Sequence, residues 1–129
     1  MALYILYKVL QRRRFLRTLS VSRITPEELK AKLDSGENVM IFDLRNRLDL
    51  STDPVRIPGA FHVLPEHIEF HPEDIPSDRD VVLYCTCPNE ATSARVTLQL
   101  QRIGFRRARP LEGGLDAWRE RRFPIERFD

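Results

Sequence analysis

The sequence predicts an α/β fold, a parallel sheet covered by helices on both faces and preceded by a basic N-terminal helix. Two apolar runs, "VMIFDL" and "DVVLYC", read as strands buried on both sides. Segments with helical patterning separate the strands, and strand–helix alternation favours a parallel sheet. Glycine and proline mark the element ends clearly.

The elements follow in order. Thr25 is a suitable N-cap, Pro26 suits the first helical position, and Glu28 completes a capping box. This helix should end near Asp34, with Gly36 as its stop. "VMIFDL" is the first strand. Residues 45 to 78 carry Pro54, Pro58, Pro65, Pro72 and Pro76 and read as irregular, with a short helix near Pro65 to Ile68. "DVVLYC" is the second strand. A helix from Thr92 to Ile103 puts Val96, Leu100 and Ile103 on one face and ends at Gly104. "RARPL" is a short strand, Gly113 and Gly114 form a turn, and "LDAWRERR" is the last helix, with Trp118 as a core anchor.

The chain has 129 residues, 42% apolar and 31% charged, which fits one globular domain with a single core. A net charge of +2 argues against strong nucleic-acid binding. The two cysteines, Cys85 and Cys87, cannot make a disulfide framework, and one intervening residue places them badly for pairing with each other. A reducing compartment is the natural reading. With His62, His67 and His71 they give no familiar zinc spacing, so no metal and no cofactor is expected.

Charge is unevenly spread. Residues 1 to 23 hold Lys8, Arg12, Arg13, Arg14, Arg17 and Arg23 and no acid, a net of +6. The rest holds 15 basic and 19 acidic side chains, a net of −4. The division expected is 1–22, a basic N-terminal helix or juxtamembrane segment, and 23–129, the domain. "MALYILYKVLQRRRFLRTL" has its apolar part first and its charge second, the reverse of a secretory signal. The apolar part is about 10 residues, against roughly 20 for a bilayer span. It looks like the inner end of a spanning helix, with Tyr4 and Tyr7 at the interface and "QRRR" on the cytoplasmic side. An amphipathic surface helix is the alternative.

In parallel sheets ligands bind beyond the carboxyl ends of the strands. Asp43 with Arg45, the loop after Cys85, and the Gly113–Gly114 turn all fall there. A cysteine between a strand and a helix N-terminus sits where backbone amides and the helix dipole favour a thiolate or a bound anion. Sulfur transfer or phosphoryl transfer through cysteine both suit that order.

Four separated motifs resemble the rhodanese-like domains: "IFDLR", "RIPGAFHV", "DVVLYC" and "LEGGLDAWRERRFPIE". The resemblance covers about Ile24 to Glu126. A narrower one joins "YCTCPNEATSA" with "LYKVLQRRRFLR", similar to the cytoplasmic C-terminal rhodanese domain of DedA-type membrane proteins. The resemblance implies a five-stranded parallel sheet and sulfurtransferase chemistry, with a persulfide on the catalytic cysteine cradled by loop amides. An ungapped strand makes that cysteine Cys85, while aligning "SAR" at the helix start makes it Cys87. Cys85 is preferred, because a strand in a buried sheet resists slippage more than a loop resists insertion. The binding loop is then Thr86, Cys87, Pro88, Asn89, Glu90, Ala91 and Thr92, with Asp43, Arg45 and Arg56 in support.

The loop departs from the common pattern. Pro88 removes an amide donor, Glu90 repels an anion, and no cation lies between Cys85 and Thr92. Arg45, Arg56 and Arg95 are left to supply positive potential if they face the loop. The partners implied are a small sulfur-containing substrate or a thiol- or persulfide-bearing protein, with no nucleic acid, for a domain that is monomeric in isolation and tethered to the cytoplasmic side of a membrane in the full-length protein. A catalytically weak regulatory or binding module attached to a membrane protein is the alternative. Phosphatase or arsenate reductase chemistry is a third reading, opposed by the missing loop arginine.

Overall fold

The apolar runs become the two central strands of the computed structural model, which describes residues 1–86 and 91–128, for 14–22 as backbone only. Strands β1 (Val39–Asp43) and β4 (Asp80–Tyr84) pair in parallel along their full length, from Val39 opposite Asp80 to Asp43 opposite Tyr84. The remaining strands are β2 (Val55–Arg56), β3 (Phe61–His62), β5 (Ala108–Pro110) and β6 (Glu126–Arg127). The helices are α1 (Ala2–Ser22), α2 (Pro26–Asp34), α3 (Arg47–Thr52), α4 (Pro65–Phe70), α5 (Ala91–Arg102) and α6 (Gly114–Glu120).

The main sheet has the order β3-β1-β4-β5, all parallel. The fifth strand expected is reduced to a single parallel bridge, Ile24 to Leu111, at the β5 edge. Thr25 follows Ile24 at once and caps α2, accepting a hydrogen bond from the Glu28 amide at 3.1 Å. The chain therefore turns into a helix before a strand can lengthen.

Side-chain alternation sorts the sheet into two cores. Ile41, Val82 and Tyr84 face α2 and α6, where they pack with Leu29, Leu115 and Trp118. Phe42, Val81, Leu83 and Cys85 face α4 and α5, where they meet Ile68, Val96 and Leu100. Trp118 is buried as expected and donates its indole N–H to the Pro124 carbonyl at 2.7 Å.

Two local expectations change. Residues 45 to 78 are not uniformly irregular. Asn46 caps the short α3, accepting from the Asp49 amide at 2.7 Å, and β2 pairs antiparallel with β6 as a separate two-stranded ribbon. Helix α5 ends at Arg102, so Ile103 leaves its apolar face and is 58% exposed. Gly104, at φ +104°, turns the chain so that Phe105 packs on the core in its place.

Candidate active site

Cys85 is the residue after β4, and its place follows from strand parity. Val81, Leu83 and Cys85 point to one side, so the thiol is buried toward the start of α5. There it donates to the Ser93 hydroxyl, with Sγ 3.7 Å from Oγ. Ser93 is itself fully buried in the first turn of α5. The Cys85 carbonyl points the other way and accepts from the Leu115 amide at 3.4 Å, at the start of α6.

Cys85 forms part of a cleft of about 220 Å³. Its walls come from three segments beyond the strand ends: Leu44 to Asp49 after β1, Leu64 to Glu66 at the start of α4, and Thr92 with Arg95 on α5. This is where ligands bind in open parallel sheets. Thr86 lines it too. Cys87, Pro88, Asn89 and Glu90 lie outside the described residues, and Ala91 opens α5.

The expected supporting residues do other work. Arg45 is buried, and its guanidinium is held by the Asp43 carboxylate at 2.8–3.1 Å, by the Asp53 carbonyl at 2.9 Å and by the Val55 carbonyl. Its charge is neutralised inside the fold, where it ties the loop before β2 to the end of β1. Arg56 does not face the cleft. It pairs with Glu126 at 2.7 Å, donates to the Ala60 carbonyl at 3.0 Å and lies over the Phe128 ring. The Gly59 amide hydrogen-bonds Glu126 and is the main reason its carboxyl is held below the usual range, with Arg56 adding to the effect. Beneath them, burial raises the Tyr84 phenol well above its ordinary value, and its oxygen accepts from the Ile57 amide at 3.3 Å.

Arg95 also lines the cleft, beside the buried Arg45, and Glu69 of α4 holds it at 2.7 Å. Sequence reasoning missed Ser93, Asp49 and Glu66. Ser93 was legible as a hydroxyl one turn into the helix after the cysteine. Asp49 and Glu66 had no signal, since they reach the cleft only through the path of the chain from 44 to 66. The histidines are engaged elsewhere: His62 with the Arg45 carbonyl at 2.7 Å, His67 with Asp74 and His71 with Glu73. Among the described residues no group of three or more His, Cys, Asp or Glu is arranged to hold a metal ion.

The comparisons with known proteins agree with this geometry. The rhodanese-like domain model matches residues 25–121. A sulfurtransferase of Allochromatium vinosum is 35% identical over 106 residues, covering 81% of this chain and 94% of that protein. A probable adenylyltransferase/sulfurtransferase, MoeZ, of Mycobacterium tuberculosis is also 35% identical, but the match covers 26% of its length. Among solved structures, the Alr3790 protein of Anabaena aligns with a TM-score of 0.69 at 25% identity, over 81% of this chain and 82% of that one. A Rhodopseudomonas palustris protein described as a possible tyrosine phosphatase aligns with a TM-score of 0.71 at 27% identity, over 88% and 92%. The chain belongs to the rhodanese-like domain family.

Proposed function

We propose that the domain is a sulfurtransferase that carries sulfane sulfur as a persulfide on Cys85. The observation that supports it best is the placement of the Cys85 thiol, at the carboxyl end of a central parallel strand, against Ser93 in the first turn of α5 and on the wall of a cleft. In the first step the Cys85 thiolate attacks the outer sulfur of a donor persulfide. The S–S bond of the donor breaks, its thiolate leaves with the electron pair, and Cys85 becomes a persulfide. In the second step an acceptor thiolate attacks that outer sulfur and Cys85 leaves as a thiolate. The two steps involve no net oxidation. Helix α5 directs its N-terminal dipole toward the negative sulfur in both.

Mass spectrometry after incubation with a persulfide donor tests the reading. Wild type and Cys87→Ser should gain one sulfur atom and Cys85→Ser should not. A gain retained in Cys85→Ser and lost in Cys87→Ser would move the nucleophile to Cys87. No gain in any form would leave the domain a binding module.

The N-terminal helix supports a membrane-bound setting. Leu3, Tyr4, Ile5, Leu6, Tyr7, Val9 and Leu10 of α1 are all exposed, so this end of the helix is apolar around its circumference. Lys8, Arg12 and Arg13 are exposed with them. No helix among the described residues is long and apolar enough to cross a membrane. About nine residues span only about 14 Å, half a hydrocarbon core. The setting proposed is the cytoplasmic C-terminal domain of a DedA-type membrane protein, with α1 leading from the bilayer. Co-sedimentation with anionic vesicles should be lost on Ile5→Glu/Leu6→Glu and weakened by salt. Binding unchanged by either would reject the setting.

A further inference from the structure

The charges around the Cys85 cleft do not suit an anionic sulfur donor. Its described lining contains four charged side chains: Arg45, Asp49, Glu66 and Arg95. The two cations are already matched. Arg45 is buried against Asp43, and Arg95 is clasped by Glu69. Arg47, also on α3, lines the neighbouring depression with His62 and His67. Asp49 on α3 and Glu66 on α4, both exposed, line the cleft from different helices, and no described cation of the lining is left to offset their charge.

We infer that Asp49 and Glu66 select the substrate of this site. They admit a thiol or persulfide whose reactive sulfur sits in an uncharged or positively charged setting, and they disfavour dianions of the thiosulfate type. This rests on Cys85 being the sulfur carrier and adds a substrate class to it. Each carboxylate acts on the incoming group by Coulomb repulsion or attraction at the cleft mouth, across partly solvated space. Nothing about the sulfur chemistry changes. What changes is the local concentration of each charged reactant near the nucleophile.

Charged thiol reagents read this potential directly, whether or not the protein turns over sulfur. In a Cys87→Ser background, Cys85 is modified by two methanethiosulfonates of similar size, one carrying a trimethylammonium group and one a sulfonate. Each rate is divided by the same reagent's rate with free 2-mercaptoethanol. The normalised cation-to-anion ratio is expected to be about tenfold. It should fall toward one in Asp49→Asn/Glu66→Gln, and fall also as salt is raised. A ratio at or below one, or a ratio that the double substitution leaves unchanged, overturns the inference. Failure of Cys85 to gain sulfur in the mass measurement is a separate result and bears on the carrier role instead.

Discussion

The carbonyl oxygen of Cys85 lies 2.2 Å from the point where a Cβ on Gly114 would sit. The strand end that delivers the cysteine and the turn that starts α6 are thus in backbone contact. The contact requires glycine twice over, since Gly114 also has φ +60°. The Gly-Gly turn of the family motif is, in this chain, the seat on which the Cys85 backbone rests.

Gly114→Ala should therefore do more than strain a turn. A left-handed alanine alone costs about 1–2 kcal/mol. Gly36, at φ +77° with nothing within 4 Å of its absent Cβ, provides that baseline. Chemical denaturation should show Gly114→Ala to be clearly more destabilising than Gly36→Ala. Modification of Cys85 by a neutral alkylating reagent should change in rate only for Gly114→Ala. Equal losses for the two would mean that the Cys85 contact relaxes without consequence.

The Asp43–Arg45 pair gives a second expectation. Both side chains are buried, and Arg45 also satisfies the carbonyls of Asp53 and Val55. Removing one partner leaves a buried charge uncompensated, which costs about 3–5 kcal/mol. Arg45→Ala should lower stability by that order in a urea titration. Arg45→Lys should recover only part of it, because one ammonium cannot reach a carboxylate and two separate carbonyls as a planar fork does. If Arg45→Ala were well folded yet unable to take up sulfur, Arg45 would instead act at the cleft.

That pair also marks where the sequence was informative and where it was not. "VMIFDL" and "DVVLYC" disclosed their strands and put Cys85 at a strand's carboxyl end, while the face it takes, toward α5, came from the packing. Thr25, Pro26 and Gly104 set helix ends through local backbone chemistry, which needs no tertiary context. The direction of Arg45 and Arg56 was not local. Arg45 turns inward because the chain before β2 passes beside β1, and Arg56 turns outward because β6 returns to pair with β2. Both strands of that ribbon are two residues long, too short to carry a period. The acids of the cleft, Asp49 and Glu66, were hidden because they reach it only through the path of the chain from 44 to 66.

At the other end of the sheet, Asp80 opens β4 and bonds Lys32 and Arg107, each at 3.0 Å. Burial pushes its carboxyl up, but the hydrogen bonds from Lys32 and then Arg107 outweigh that and hold it below its ordinary 3.8. A carboxyl lowered by folding stabilises the native state at pH above its unfolded value. That contribution disappears as pH falls through the folded value. The stability difference between wild type and Asp80→Asn should be constant from neutral pH down to about pH 5 and should shrink below about pH 4. A difference that grows on acidification would contradict the assignment.

Ser93 should act on the cysteine through its hydroxyl. With the thiol protonated, Cys85 donates to Ser93 Oγ across 3.7 Å. Once the sulfur is ionised or carries a persulfide anion, the direction reverses and the hydroxyl donates to it. A hydrogen bond to a charged acceptor is worth more than one to a neutral group, about 1.5–3 kcal/mol against about 1. Ser93→Ala should thus weaken the anionic form more than the fold. Alkylation of Cys85 at neutral pH should slow by about three- to tenfold, within the difference between the charged and neutral bonds of about 0.5–2 kcal/mol. Its pH profile should move to higher pH, with the rate recovered in alkaline solution. A purely packing role for Ser93 would lower stability and leave the profile in place. The hydroxyl is a positioning group for the sulfur if the profile moves, and a filler of the α5 core if it does not.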